Sequence, residues 1–217
     1  MNRETRWNHV KLMLEQALIP AAAAASRRLM VVLHGLGDSM EGYHWLPDAL
    51  ALPAVSYLLV NAPDPYFDGY SWYDFSGDAG TGIERSRALL FELLDAQRAQ
   101  GYPTEETVLF GFSQGSLMTV DVGLRYPHRF AGLVGISGYV HEPERLLAAL
   151  SPRAFEQHLL LTHGTRDPLI PFAAVREQVN LLKAAGLHIQ WHEFVKDHTI
   201  AGELELEVVR DFVRARC

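Results

Sequence analysis

The sequence predicts an α/β fold in which a mostly parallel central sheet carries helices on both faces. Two observations predict it. From Leu29 onward, short apolar runs alternate with stretches whose apolar residues recur at helical spacing. The short runs are apolar almost throughout, which is typical of strands buried on both faces. Repeated strand–helix units of this kind form a parallel sheet, and no segment remains for a large cap domain.

Each element can be placed along the chain from its pattern and its stop signals. The predicted strands cover residues 30–33, 55–60, 108–110, 133–136, 159–162 and 189–195. The predicted helices cover residues 41–50, 83–100, 114–126, 144–150, 173–185 and 202–216. Gly101 and Gly186 each follow a helical pattern and indicate where it ends. Residues 66–75 are predicted to form a surface loop rich in aromatic side chains.

The N-terminal segment differs from the rest. Residues 1–28 are expected to form an irregular or weakly paired leader with an edge strand at residues 17–19, and residues 29–217 a single domain. The alanine run at residues 21–25 has the composition of a signal-peptidase site, but Lys11 and Glu15 interrupt the apolar segment that must precede one. No stretch reaches the ~18 apolar residues of a membrane span, so no stable membrane insertion is expected.

Charge and cysteine content exclude several classes of function. The net charge of −7 and the lack of any run rich in lysine and arginine argue against a nucleic-acid partner. The one cysteine, Cys217, cannot form a disulfide within the chain, which favours a cytoplasmic protein. Whether the chain forms a homodimer is left open.

The strongest chemical signal is the motif Gly111-Phe112-Ser113-Gln114-Gly115. It lies where an apolar, strand-like run passes directly into a helical pattern. A serine in such a strained strand-to-helix turn is held exposed, and small flanking residues allow the backbone to bend beside neighbouring strands. The helix that follows points free N–H groups at the site, where negative charge would develop. This context predicts that Ser113 is a catalytic nucleophile.

The two partners that such a serine needs follow in order. Asp167 comes directly after the predicted strand at 159–162, and His198 after the strand at 189–195. Loops at the carboxyl ends of parallel strands open on one edge of the sheet, so these side chains can converge there. The order serine, aspartate, histidine is the one used by serine hydrolases built on such a sheet.

The chain resembles the carboxylesterase, phospholipase and acyl-protein thioesterase branch of the α/β-hydrolase family. The matching segments are residues 34–38 (HGLGD), 61–63 (NAP), 72–74 (WYD), 111–115, 164–171 and the loop around His198. The resemblance implies an α/β-hydrolase fold and hydrolysis of carboxylic esters or thioesters without a metal or organic cofactor. It also implies an oxyanion hole formed by the backbone N–H groups of Leu36 and Gln114. The aromatic loop would then shape an acyl pocket through Tyr70, Trp72, Tyr73 and Phe75.

One departure from the family leaves the orienting acid open between two residues. Asp197 stands directly before His198, where the family usually has glycine. A carboxylate there could compete with Asp167 for the Nδ1–H of the imidazole, or raise the pKa of that ring. Asp167 is the preferred assignment.

The other histidines have simpler interpretations. His34 and His163 are expected to be hydrogen-bonding scaffold residues at strand ends. His188 and His192 share one face of a strand, but no third ligand accompanies them, so no metal site is predicted.

The resulting hypothesis is a serine carboxylesterase acting on a small-molecule or lipid acyl ester through an acyl-enzyme intermediate. One alternative is an acyl-protein thioesterase or lysophospholipase, which would use the same groups with a longer pocket. A peptidase on the same fold and a non-catalytic binding scaffold are further alternatives.

Overall fold

Nine strands and six helices follow one another in residues 14–23 and 25–216, the part of the chain that this computed structural model describes. The strands are β1 (Gln16–Ile19), β2 (Arg28–Leu33), β3 (Val55–Val60), β4 (Asp64–Tyr66), β5 (Gly69–Ser71), β6 (Thr107–Phe112), β7 (Gly132–Ile136), β8 (His158–Gly164) and β9 (His188–Phe194). The helices are α1 (Leu46–Leu50), α2 (Ala79–Ala99), α3 (Gln114–Arg125), α4 (Pro143–Leu147), α5 (Phe172–Ala184) and α6 (Glu203–Arg214).

Seven of these strands form the central sheet, in the order β1-β3-β2-β6-β7-β8-β9. The pairs from β3 to β9 are parallel, and only β1 runs antiparallel to its neighbour β3. The six residues of β3 are all buried, as expected for a strand covered on both faces. The predicted α/β-hydrolase fold with a mostly parallel sheet is therefore confirmed.

The hydrophobic core has one layer on each face of the sheet. Leu90 of α2, Leu117 of α3 and Val175 of α5 belong to one layer, packed with alternate side chains of the strands. Leu46 of α1 and Val209 of α6 belong to the other. Helices thus cover both faces, and the apolar runs of the strands are used on both sides.

Two of the predicted elements differ from the structure. The helix predicted at residues 41–50 is divided into a 3-10 turn, Met40–Tyr43, and helix α1. Pro47 lies in the first turn of α1, where its missing N–H costs no helical hydrogen bond, and this sets the start of the helix. The aromatic segment predicted as a loop, residues 66–75, overlaps the antiparallel hairpin β4–β5, which begins at Asp64.

The N-terminal leader is described only from Leu14 onward. Strand β1 covers the segment where an edge strand was expected and pairs with β3 at the border of the sheet. The rest of the expected leader, residues 1–13, lies outside the described residues.

Candidate active site

The nucleophile candidate occupies a turn with unusual backbone geometry. Ser113 stands between the end of β6 and the first residue of α3, with φ 53° and ψ −115°. A non-glycine residue with positive φ is strained and must be held by its surroundings. Here the Ser113 N–H donates to the carbonyl of Ile136, over 2.9 Å.

The flanking glycines permit this turn because there is no room for a side chain at either position. A Cβ on Gly115 would overlap the carbonyl oxygen of Leu33, and one on Gly111 would overlap the carbonyl of Gly115. The turn therefore packs its backbone directly against β2, as the glycine spacing of the motif indicates.

The acid and the base meet above this turn. Nδ1 of His198 lies 2.7 Å from Oδ2 of Asp167, and Nε2 of the same ring lies 2.9 Å from Oγ of Ser113. The three side chains come from the loops after β6, β8 and β9, at the carboxyl ends of the strands. The structure thus brings together all three residues predicted from sequence.

Asp167 is held as a charged, oriented acceptor. Its side chain is buried, and Oδ1 accepts the N–H groups of Leu169 and Ile170, each at 2.9 Å. Burial by itself raises the pKa of this carboxyl, but the Ile170 N–H, the His198 ring and the Leu169 N–H outweigh it. The net pKa is lower than usual, so Asp167 stays ionised and fixes the Nδ1–H tautomer of His198.

The carboxylate of Asp197, the alternative orienting acid, lies at the surface of the protein. The side chain of Asp197 is 70% exposed, and its Oδ1 lies 3.7 Å from the guanidinium Nε of Arg166. Asp167 is the carboxylate that contacts the histidine.

His34, at the end of β2, is a scaffold for the loop that carries Leu36. It is fully buried; its Nδ1 lies 2.6 Å from the carbonyl oxygen of Gly35, and its Nε2 accepts the N–H of Ala62 at 3.0 Å. Burial lowers the pKa of His34 against smaller opposing effects from its neighbours, which keeps the ring neutral as both contacts require.

The same loop is paired with the hairpin β4–β5. Gly37 donates its N–H to the carbonyl of Tyr70, and Tyr70 donates to the carbonyl of Asp38, both at 2.9 Å. The indole N–H of Trp72 donates to the carbonyl of His34, also at 2.9 Å. The aromatic segment therefore supports the position of the HGLGD loop.

Gln114 connects this aromatic segment to the nucleophile turn. Its side-chain oxygen accepts the N–H of Trp72 at 2.9 Å, and its side-chain amide donates to the carbonyl of Tyr73 at 3.0 Å. The backbone N–H groups of Leu36 and Gln114 donate to no other described residue. Leu36, Gln114 and Ser113 all line one cavity, so these two donors are available to a bound group.

That cavity has a volume of about 510 Å³, within the usual range for a small-molecule site. Tyr73 and Phe75 line it, as predicted, but Tyr70 and Trp72 do not. Trp72 is fully buried in the core beneath the HGLGD loop, and the hydroxyl of Tyr70 reaches the side chain of Glu15 at 3.4 Å. Tyr70 and Trp72, which were expected to shape the pocket, are thus absent from its wall, because their rings pack on the body of the domain.

Other residues line the cavity that the sequence pattern did not reveal: Phe112, Tyr139, Pro168, Leu169 and Ile170. Leu169 is 68% exposed although it is large and apolar. The sequence signal for this part of the cavity wall was the pair of large apolar residues, Leu169 and Ile170, that follows Asp167 and Pro168 in the loop between β8 and α5. They place an apolar wall beside the candidate triad.

Two of the other histidines named in the sequence analysis, His163 and His188, lie outside the candidate triad. His163 is buried, and its Nε2 lies 3.0 Å from the carbonyl oxygen of Ile170, in the loop that holds Asp167. The ring of His188 lies tilted beside that of His158, with ring centroids 5.6 Å apart. Within residues 14–23 and 25–216, no three histidine, cysteine or acidic side chains form a metal-ligating cluster.

Comparison with known proteins agrees with this architecture. A model of the phospholipase/carboxylesterase family matches residues 14–216. The chain belongs to this family. It is an α/β-hydrolase and an ester-hydrolysing enzyme, a serine hydrolase of the esterase/thioesterase type.

Several proteins with similar sequences align with most of this chain. Acyl-protein thioesterase 1 of Schizosaccharomyces pombe is 34% identical in an alignment of 162 residues that covers 69% of this chain and 72% of that protein. Acyl-protein thioesterase 1 of Yarrowia lipolytica is 30% identical in an alignment of 197 residues that covers 81% of this chain and 86% of that protein.

Solved structures show the same fold. The crystal structure of esterase PE8 aligns with a TM-score of 0.83 and 28% identity, covering 94% of this chain and all of that one (100%). The Bacillus cereus carboxylesterase aligns with a TM-score of 0.80 at 17% identity, covering 95% of this chain and 96% of that one. No helix among the described residues is long and apolar enough to cross a membrane.

Proposed function

We propose that this hydrolase is a serine carboxylesterase with Ser113, His198 and Asp167 as its catalytic triad. The observation that carries the proposal is the bridging position of His198, with Asp167 at 2.7 Å from one ring nitrogen and Ser113 Oγ at 2.9 Å from the other. Both distances are within hydrogen-bond reach, which is the geometric requirement for a base and its orienting acid.

The reaction follows from these contacts in two stages. Oγ of Ser113 attacks the acyl carbonyl carbon while its proton passes to Nε2 of His198. The bond to the leaving group then breaks, and His198 returns the proton to the departing oxygen or sulfur. Water repeats the sequence on the acyl-enzyme, releasing the carboxylic acid and restoring Ser113.

The free backbone N–H groups of Leu36 and Gln114 would bind the oxyanion formed at each stage. Both belong to residues that line the cavity with Ser113, and the side chain of Gln114 fixes its backbone through Trp72 and Tyr73. Donors held in place before the reaction stabilise the developing charge without reorganisation.

A substrate with a medium or longer acyl chain fits the apolar part of the cavity. Tyr73, Phe75, Leu169 and Ile170 line it, and Phe75 and Leu169 are each 68% exposed. Covering these side chains with an acyl chain would remove apolar surface from water. This favours esters or thioesters of lipid-like acids, in keeping with the acyl-protein thioesterase relatives. We place the enzyme in the cytoplasm, where a chain with one cysteine needs no disulfide.

A fluorophosphonate probe tests the triad directly. We expect one adduct per chain, located on Ser113 by peptide mass spectrometry. Ser113→Ala should lose both the adduct and ester turnover. As a control, Ser151→Ala removes another buried serine, outside the cavity, and should leave labelling unchanged. An adduct on a different serine, or an active Ser113→Ala enzyme, would contradict the proposal.

A further inference from the structure

A second cavity, of about 410 Å³, adjoins the first and has no role in the chemistry described so far. Asp38, Phe112 and His198 line both cavities. The residues found only in the second are Gly42, Tyr43, Trp45, Thr199, Ile200, Gly202 and Leu206. An ester has two sides, and the apolar cavity accounts for its acyl group. Since His198 would protonate the leaving group, a second cavity at the same ring is placed to receive that group.

The charge in this second cavity has one sign. Among the lining residues that the structure describes, Asp38 is the one carboxylate beside the His198 ring, and none is a lysine or arginine. Among the described residues, none forms an ion pair with Asp38; the Ser39 N–H donates to its Oδ1 at 2.8 Å. An anionic group without a cationic partner favours a positively charged ligand.

Asp38 is also held in place. Its N–H donates to the carbonyl of Gly35 at 3.3 Å, and its carbonyl accepts the N–H of Tyr70 at 2.9 Å. The backbone is therefore fixed on both sides of the carboxylate. A positioned charge loses less freedom when a ligand binds than a mobile one does.

Trp45 adds an aromatic surface to the same cavity. Its indole N–H donates to the carbonyl of Gly42 at 2.8 Å, so its polar group already has a partner within the protein. The ring stacks on buried Tyr43, with centroids 6.4 Å apart, and Trp45 remains 41% exposed. What it offers to a ligand is thus the indole ring, the aromatic surface that attracts cations most strongly.

We propose that this cavity is the leaving-group subsite and that it selects esters whose alcohol carries an alkylammonium group. The proposal rests on the proposed function, because it assigns the leaving-group side of the same reaction. Asp38 supplies the opposite charge, and Trp45 supplies a surface for the methyl groups of the ammonium.

A pair of isosteric esters tests this selection. Hexanoylcholine and 3,3-dimethylbutyl hexanoate share their acyl group and shape, and differ by the charge of one atom. We expect kcat/KM to be about threefold higher for the choline ester at low salt, within the range of about 1.4- to 5-fold for a solvent-exposed ion pair. The preference should decrease with added salt, because salt screens the attraction.

Three variants test which residues cause the preference for the choline ester. Asp38→Asn keeps an oxygen for the Ser39 N–H but removes the charge, so the choline preference should fall to about one. Trp45→Leu should reduce it in part. Glu207→Gln removes an equal charge from the exposed face of α6, outside the cavity, and should leave both esters unaffected. A wild-type ratio of one or less, or a ratio that persists in Asp38→Asn, would overturn the proposal.

A binding measurement keeps this test separate from the proposed function. Choline alone, titrated into the protein, should shift the indole N–H resonance of Trp45 in NMR spectra and saturate at lower concentration in wild type than in Asp38→Asn. If neither ester is hydrolysed, the esterase proposal fails, and the choline titration still decides the cation site. An unshifted Trp45 resonance would refute that site.

Discussion

Nζ of Lys196 lies 2.6 and 2.7 Å from the two carboxylate oxygens of Glu205, and both side chains are buried. The same carboxylate accepts the hydroxyl of Thr162 and, at 2.6 Å, the N–H of Ala201. Burial lowers the pKa of Lys196, and the attraction of Glu205 opposes that effect. Lys196 precedes His198 by two residues, so this ion pair connects the histidine loop to β8 and α6.

The first prediction concerns the removal of one partner of this pair. Lys196→Met leaves Glu205 buried without its cation and should lower the free energy of unfolding by roughly 3–5 kcal/mol. It should also lower kcat, because the loop that positions His198 loses its anchor. The double variant Lys196→Met/Glu205→Leu should regain most of the stability, since an apolar pair can replace a buried ion pair.

Arg153→Met is the matched control, measured by urea unfolding in parallel. Its pair with Glu156 has a similar distance, 2.7 Å, but the two side chains are 48% and 45% exposed. An exposed pair contributes ~1 kcal/mol or less. If Lys196→Met cost no more stability than Arg153→Met, the buried pair would not anchor the loop.

A second prediction distinguishes the two neighbouring carboxylates. Asp167→Asn should lower kcat by ~10⁴, because the wrong histidine tautomer then faces Ser113. Asp197→Asn should change kcat less than about twofold, since an exposed charge that does not contact the ring has a small, screened effect. If steady-state kinetics on one ester showed the larger loss of kcat in Asp197→Asn, the assignment of the orienting acid would be reversed.

The third prediction concerns acyl length. Each methylene that packs in the apolar cavity gains at most ~0.8 kcal/mol, or about fourfold in kcat/KM. We therefore expect kcat/KM to rise from acetyl to hexanoyl esters. Phe75→Ala and Leu169→Ala should flatten this rise, because both side chains line the cavity. A wild-type preference for acetyl esters would show that the cavity does not bind the acyl chain.

Trp72→Phe is the contrasting variant in that series. It keeps most of the buried ring but loses the hydrogen bond to the carbonyl of His34. Because Trp72 supports the HGLGD loop and does not line the cavity, turnover should fall by a similar factor for all chain lengths. A loss of turnover confined to esters with long acyl chains would instead indicate that Trp72 forms part of the acyl pocket.

The fourth prediction is a pH dependence of stability. The pKa of Asp167 is lower in the folded protein than its ordinary value, so its contribution is fully present above pH ~4 and is lost as pH falls through the folded pKa. In urea unfolding between pH 5 and pH 2.5, the free energy of unfolding of wild type should decrease relative to that of Asp167→Asn as the pH falls. A difference that stays constant over this range would mean that the carboxyl has an ordinary pKa.

Much of the fold could be predicted because its signals are local. The strands β2, β3, β6, β7 and β8 are short apolar runs between turn residues, and each lies within one or two residues of its predicted position. The hairpin β4–β5 could not be found this way. Its pairing partners include the HGLGD loop, and that contact is set by the chain folding back on itself.

The residues of the candidate site that the sequence could identify are likewise those with local signals. Ser113 was identifiable from sequence because the glycine spacing and the strand-to-helix change are local properties of a few residues. Asp167 and His198 could be nominated because each follows a strand in a fold whose loops share one edge. The sequence alone thus determined the family, the fold and the three residues of the candidate triad.

Only the tertiary structure decided which carboxylate faces His198, which aromatic rings line the cavity, and that Lys196 and Glu205 pair inside the domain. The physical reason is that side-chain direction in a loop depends on partners distant in the chain. Asp167 and Asp197 both lie in loops that reach the site, but two backbone N–H groups hold the buried carboxylate of Asp167, whereas the side chain of Asp197 is 70% exposed beside Arg166. No spacing rule within the sequence encodes those contacts.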